Sequence, residues 1–486
     1  MSVYIIIGTY LILTLLVAWL GYRKAERTPE DFFLAGRGIG AVVLLFTFIA
    51  SNFSAFYFMG FAGEAYRVGY SYYPMMALGT AFAALAFYFI GYRTWRMGKA
   101  HGYITPPEMI GSLTGSPALK LLFMGVLVFF TLPYVAIQPM GAGYILETLT
   151  NGQIPYSAGA VVLTVFIVLY VFVGGMRTVA ITDLIQGVLM FSLMLVAVWV
   201  IASELGGLAE ANAKVYEQKP ELFSRNGMNG HFSPQKWFSL MLLWLFCVPM
   251  FPHMFMRFFV SKDRQAFQFS TFFYALIPCF LFILPVIIGV LGHLTFPELG
   301  KEASDKIIPL MLMEHPPLWV AALILTGALA AFMSSLDSQL LAISTMFTRD
   351  VYLSFIDDGL SMKAQVNLGR ICVAICALLG LGIAALANEK SIFAILKIAF
   401  TGYAVLFPTT LAVLYFRQVP ATACIASILC GEALLVVLTF GWIPKPWVLG
   451  FDPVIPVIVL SALIVGIGML LRRDSIETRR IEDESG

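Results

Sequence analysis

Charge is what this 486-residue chain has least of. Asp, Glu, Lys and Arg make up 12% of it, while hydrophobic residues make up 60%. A soluble globular chain sits at roughly 25% charged and 45–50% apolar, so this composition belongs to a protein that crosses a membrane many times. The net charge of +2 offers no basic footprint for nucleic acid. Cysteine is scarce as well. Cys247, Cys279, Cys372, Cys376, Cys424 and Cys430 all fall in apolar runs and read as small core residues, not disulfides. Cys372 and Cys376 lie one helical turn apart, but no histidine or third cysteine nearby completes a zinc site. His101, His231 and His315 lie in loops, His293 near a helix end and His253 beside Pro252, none with metal-ligand spacing. There is no soluble module longer than a loop, no Ser/His/Asp constellation and no paired-carboxylate site, which argues against an enzyme. Gly36-Arg37-Gly38-Ile39-Gly40 has the wrong spacing for a nucleotide loop and reads as a turn. A channel would carry repeated pore segments or rings of charge, and neither is visible.

Long apolar runs are abundant. The first, Val3–Tyr22, is long enough to span a bilayer and lacks the basic region and cleavage site of a signal peptide. Twelve more follow near Gly40–Phe61, Tyr73–Tyr92, Leu121–Leu146, Tyr156–Val173, Thr182–Ile201, Trp237–Phe255, Phe267–Leu291, Leu318–Phe347, Val366–Ala387, Ile392–Phe416, Ala421–Trp442 and Ile455–Leu471. With the N-terminus outside, inner loops and span ends collect twenty of the 30 Lys and Arg, among them Lys24, Arg27, Arg177, Arg257, Arg473, Arg479 and Arg480. The positive-inside rule therefore predicts an external N-terminus and a cytoplasmic tail over Arg472–Gly486. The longest loop is expected at Glu204–Lys236.

Polarity concentrates where it is expensive. The ninth run ends in Thr326–Tyr352, which carries Ser334, Ser335, Asp337, Ser338, Ser344 and Thr345. In a helix, Ala331, Ser334, Ser335 and Ser338 share one face with Asp337 at its edge. Such hydroxyls can bond back to their own helix carbonyls. Asp337 fits that poorly, and a hard cation is a better partner. Two other runs look interrupted. Ala50-Ser51-Asn52-Phe53-Ser54-Ala55 puts polar residues in mid-span, and Cys247-Val248-Pro249-Met250-Phe251-Pro252-His253 holds two prolines three apart. Proline removes a backbone donor and clashes with the preceding turn, so that helix must kink or unwind. The two interruptions lie five spans apart, an odd offset that reverses their direction. Broken helices in matching positions of inverted halves point to the binding site of a secondary transporter.

Four blocks then carry a resemblance. They are Asp31-Phe-Phe-Leu-Ala-Gly-Arg-Gly, Gly174-Gly-Met-Arg-Thr-Val-Ala-Ile-Thr-Asp-Leu-Ile-Gln186, Pro252-His-Met-Phe-Met-Arg-Phe258 and Met333-Ser-Ser-Leu-Asp-Ser-Gln-Leu-Leu341. In this order they resemble signatures of the sodium:solute symporters. The resemblance implies an all-α membrane protein of about thirteen spans on a five-plus-five inverted-repeat (LeuT-type) core. It places a peripheral helix at about 3–22, the first repeat at about 40–201 and the inverted second repeat at about 237–416. Two further peripheral helices then occupy about 421–471, and 472–486 is the tail. It also implies a sodium site from the carbonyls of Ala50, Phe53 and Ala331 and the hydroxyls of Ser334 and Ser335. A candidate second sodium position takes Asp183, Ser334, Asp337 and Ser338. Asp337 stands where the sialic acid transporter of the family has serine, which leaves the ion count open. Asp183 also suits a helix N-cap in the first turn of the sixth span, and the two roles are compatible.

The same resemblance puts the substrate near Asn52, Phe53, Phe56, Trp244, Val248 and Pro252. Trp244 matches a tryptophan of the proline permease; Val248 and Asn52 stand where that permease has tyrosine and aspartate, and both departures count against proline. Ordinary packing is an equal explanation for Trp244. Lys397, the unexplained charge inside a span, either snorkels to the outer interface or attracts a carboxylate entering from outside. The expectation is a multi-pass protein of the cell's inner membrane that imports a small polar solute with sodium by alternating access. The favoured solute is a small organic anion such as a monocarboxylate. The alternatives are an amino acid of the proline type, or a proton-coupled relative with Asp337 or Asp183 as carrier. The expected partners are solute, sodium and the lipid bilayer, with no nucleic acid and no obligatory protein partner.

Overall fold

The computed structural model describes residues 3–23, 28–387 and 391–485. Lys24 and Arg27 of the inner basic set lie outside the described residues, as does the end of the expected tail at Gly486. Among the described residues the chain is helical apart from turns and one isolated bridge, Ile39 to Ser261. Among these residues ten helices are long and apolar enough to cross a membrane, or twelve with each of two bent pairs taken as one broken span, and a shorter apolar helix, Tyr156–Phe172, lies between them in sequence. We number the spans in chain order: α1 Val3–Gly21, α2a Ala41–Asn52 with α2b Phe56–Val68, α3 Tyr72–His101, α4 Pro117–Leu149 and α5 Tyr156–Phe172. Then come α6 Gly175–Glu204, α7a Pro234–Met250 with α7b Pro252–Phe258, α8 Arg264–Leu294 and α9 Leu318–Phe355. The last four are α10 Lys363–Leu386, α11 Ile392–Tyr415, α12 Ala421–Thr439 and α13 Val454–Arg472.

A helix stands at each expected span, twelve of them long and apolar enough to cross a membrane when each bent pair counts as one, but boundaries move. The second span runs on to Val68, and the sixth begins at Gly175, not near Thr182. Gly175 separates α5 from α6 with φ 57°, a conformation that favours glycine, and a Cβ there would meet the Phe32 carbonyl at 2.6 Å. The loop expected at Glu204–Lys236 contains a helix, Leu208–Gln218. Two of the signature blocks also meet, since Arg177 donates to Asp31 Oδ1 at 2.5 Å.

The polar ninth span is the centre of the molecule. In α9, 78% of the most apolar stretch is buried, against 28% in α1 and α13. It packs chiefly against the α5–α6 region, where Gly327 brings its backbone onto Met190 and Leu193 of α6. Exposed leucine, isoleucine and valine cover α1, α12 and α13, the surface a hydrocarbon solvent requires.

Candidate ion and solute site

The break in α2 is a problem of unmet backbone groups. The helix stops at Asn52, and Phe53 turns extended at φ −92°, ψ 101°; the chain restarts through a π-helical turn, Phe56–Gly60, bent by 59°. The restart needs its N–H groups met. Gln138 of α4 accepts from Ala55 N at 2.9 Å, and Ser54 Oγ accepts from Phe56 N at 3.2 Å. The stopped half has the opposite need, because its last carbonyls have no N–H ahead of them. Hydroxyls of α9 meet them. Ser334 donates to the Ala50 carbonyl at 2.9 Å, with the Ala331 carbonyl of its own helix at 3.1 Å. Ser335 Oγ lies 3.4 Å from both the Ser51 and the Phe53 carbonyls.

Those distances separate two kinds of contact. An O–H···O bond peaks at about 2.7–2.8 Å, so 3.4 Å is long. Oxygens around a hard cation of calcium's size sit about 2.4 Å from it, which places neighbouring octahedral ligands about 3.4 Å apart. Ser334 thus makes hydrogen bonds, whereas Ser335 stands off its two carbonyls at a spacing that a hard cation's ligands also adopt, and all of these residues are buried on the α2–α9 seam.

Beside this set lies a buried charge cluster. Arg257 of α7b, Asp183 of α6 and Asp337 of α9 are all fully buried. The guanidinium donates to Asp183 Oδ2 at 3.0 Å, Ser338 Oγ at 2.5 Å, Thr47 Oγ1 at 2.8 Å and the His253 carbonyl at 2.8 Å. Thr47 also donates to Asp183. Asp337 accepts from Tyr170 at 2.7 Å and Ser338 at 3.0 Å. Two expectations need correction here. Arg257 is not an inner-loop cation, since α7b carries it into the core. Asp183 is not an N-cap, because α6 starts eight residues earlier and the carboxylate faces Arg257 and Thr47.

The α7 break behaves as its prolines require. Phe251 is extended at ψ 127°, Pro252 opens α7b, and the two halves are bent by 60°. Trp244 and Phe56 meet across the two broken spans with centroids 5.5 Å apart, and Phe400 of α11 closes on Trp244 at 5.3 Å. Val248 and Pro252 are buried at the bend, and Asn52 keeps partial exposure at the end of α2a. The Phe53 ring points elsewhere, stacking on Phe282 at 4.9 Å and meeting Phe191 at 5.2 Å. The Phe53 carbonyl thus faces Ser335 while its ring packs on Phe282 and Phe191. The Lys397 ammonium donates to Asp452 at 2.7 Å, with both side chains partly exposed. Sequence reasoning missed Tyr170, Thr47, Gln138 and Phe400. Gln138 carried a signal, an amide within an otherwise apolar span.

Comparison with known proteins decides the family. The profile of the sodium:solute symporter family matches residues 32–431. This chain belongs to that family. The sodium/pantothenate symporter of Escherichia coli (strain K12) is 26% identical over 464 residues, covering 94% of each chain. The osmoregulated proline transporter OpuE of Bacillus subtilis (strain 168) is 27% identical over 497 residues, covering 99% of this chain and 98% of the relative. Among solved structures, a substrate-bound, outward-open Na+-coupled sialic acid symporter superposes with TM-score 0.80 at 18% identity, over 96% of this chain and 98% of the other. Mhp1, a nucleobase-cation-symport-1 family transporter in a closed conformation, gives 0.63 at 13% identity. The symporter is thus a multi-pass, sodium-using membrane transporter with the five-plus-five inverted-repeat fold, and not an enzyme.

Proposed function

We propose that this symporter carries sodium inward together with a small carboxylate-bearing solute. The placing of five buried oxygens along the seam between the broken α2 and the facing α9 carries this reading. Sodium held by the carbonyls of Ala50, Phe53 and Ala331 and the hydroxyls of Ser334 and Ser335 joins the broken α2 to α9. An ion shifts the balance between two states only by its differential affinity for them. Binding at that seam favours the state in which α2 and α9 are joined, and loss of the ion inside releases the solute. On this reading α2–α6 and α7–α11 are the inverted halves, the N-terminus lies outside and the C-terminus in the cytoplasm, in a bacterial-type inner membrane.

Two observations support a carboxylate. Pantothenate and proline, the solutes named for the relatives, both carry one. The buried indole N–H of Trp244 is a donor without a partner among the described residues, beside apolar rings that suit a solute's body. A zwitterionic amino acid is the second reading, favoured by the Phe56–Trp244–Phe400 aromatic cluster, whose faces attract an ammonium.

Uptake of labelled pantothenate and proline into proteoliposomes, with external sodium or choline, tests the proposal. Sodium-driven uptake of one is expected. Ser334→Ala and Ser335→Ala should each weaken sodium dependence, and the double variant should abolish coupled uptake. Normal sodium-driven uptake by the double variant would contradict the ion site, and equal uptake in choline would mean proton coupling.

A further inference from the structure

The buried charges beside the ion site do not cancel. Arg257 is permanently cationic, while Asp183 and Asp337 are two carboxylates, and all three are sealed from solvent. The guanidinium serves Asp183 directly and reaches Asp337 only through Ser338. The donors to Asp337 itself are the neutral hydroxyls of Tyr170 and Ser338. The second oxygen of Asp183, Oδ1, has no partner among the described residues. An unpaired buried charge is strongly unfavourable, so two carboxylates against one guanidinium call for one more positive charge nearby.

A cation held by the adjacent oxygen set would supply it. Ser338 Oγ lies 2.7 Å from the Ser334 carbonyl and 3.4 Å from Ser51 Oγ, which joins the charge cluster to the α2–α9 seam. One monovalent cation there brings the cluster to neutrality. A second would leave it at one positive charge. Of the oxygens such an ion would need, Asp183 Oδ2 and the Ser338 hydroxyl are already held by the guanidinium at 3.0 and 2.5 Å, which leaves only Asp183 Oδ1 of that carboxylate.

We propose that Arg257 is a tethered cation of the coupling site, and that with Asp183 and Asp337 it fixes the count at one sodium ion per transport cycle. Asp337 supplies the charge that the mobile ion balances. Arg257 is a positioning residue that takes the place of a second ion. This inference rests on the sodium site proposed above.

The test is equilibrium binding of radiolabelled sodium to the purified full-length protein in nanodiscs, with choline holding the ionic strength constant. The native chain should bind one ion with a Hill coefficient of 1. Asp337→Asn, close to isosteric, should weaken binding about tenfold or more, the scale of one charge at an effective dielectric near 20. Arg257→Met should raise the count to two, and Arg257→Met with Asp183→Asn, which restores the charge balance, should return it to one. Two ions per native chain, or unchanged affinity in Asp337→Asn, would overturn the proposal whether or not the Arg257 variants fold. A count of one in folded Arg257→Met would overturn the role of Arg257. A native chain that binds no sodium would instead overturn the ion site beneath it.

Discussion

Asp305 has the least settled ionisation outside the spans. It lies in the turn before the helix Ile307–Glu314, where its Oδ1 accepts from Arg67 at 3.0 Å and its Oδ2 from the backbone N of Ile392 at 2.8 Å. Burial pushes its carboxyl up to about 6, and Arg67, which also serves Glu64, only partly opposes that. The unfolded carboxyl titrates near its usual value of about 3.9. Between roughly pH 4 and 6 the folded chain therefore binds the extra proton, and stability falls as pH rises through that window. Above about pH 6 the loss is complete, on the order of 3 kcal/mol for a shift of about two units. Thermal denaturation of the native protein and Asp305→Asn from pH 4 to 7 should show the native protein losing stability relative to the variant. Parallel curves would refute the assignment. Lys397 and Asp452 offer a second residue-level check. The pair is partly exposed, so a double-mutant cycle with Lys397→Met and Asp452→Asn should give a coupling of about 1 kcal/mol or less. A coupling near zero would mean that their 2.7 Å contact contributes nothing.

At the scale of elements, α2b behaves as a piece bound to α8. Tyr57 donates to the Leu281 carbonyl at 2.7 Å, and Tyr66 to the Phe296 carbonyl just beyond α8 at 2.6 Å. A Cβ on Gly289 of α8 would run into the Ala62 carbonyl and come within 3.0 Å of the Tyr66 N. Backbone cannot swing aside as a side-chain end can. Gly289→Ala should therefore cost about 1–3 kcal/mol and shift α2b relative to α2a, read as a lower denaturation midpoint and weaker sodium-dependent uptake. The same scale explains what could be read in advance. The α2 and α7 breaks were legible, because polar residues and paired prolines in apolar runs are local signals. The start of α6 was not, since Gly174-Gly175-Met176-Arg177 reads as a loop until Gly175 turns between two helices. Arg257 was misplaced because the rule that sorts arginines to inner loops knows nothing of Asp183, 74 residues away in sequence. The ion-pair partner of Lys397 was out of reach for the same reason, lying 55 residues on. Short-range pattern locates the elements; long-range charge pairing decides what the polar side chains do.

For the whole molecule, the seam between α2 and α9 predicts a coupling between ion and fold. The carbonyls of Ala50 and Phe53 are freed by unwinding, so on the proposed reading they would form a ligand set only when α2 and α9 are docked. An ion that binds the docked state and not the unfolded chain stabilises it by RT ln(1 + [L]/Kd), about 2.7 kcal/mol at a hundredfold excess over Kd. Sodium should therefore raise the denaturation midpoint of the purified protein in a concentration-dependent way, while potassium or choline at equal ionic strength should not. Linkage extends this to the solute: if sodium tightens solute binding by some factor, solute must tighten sodium binding by the same factor. The Ser334→Ala/Ser335→Ala variant should lose both the thermal shift and the reciprocity, since it removes the hydroxyls that join the two spans. A variant that kept the sodium-specific shift would place the ion elsewhere in the fold, and the α2–α9 seam would then be only a structural contact.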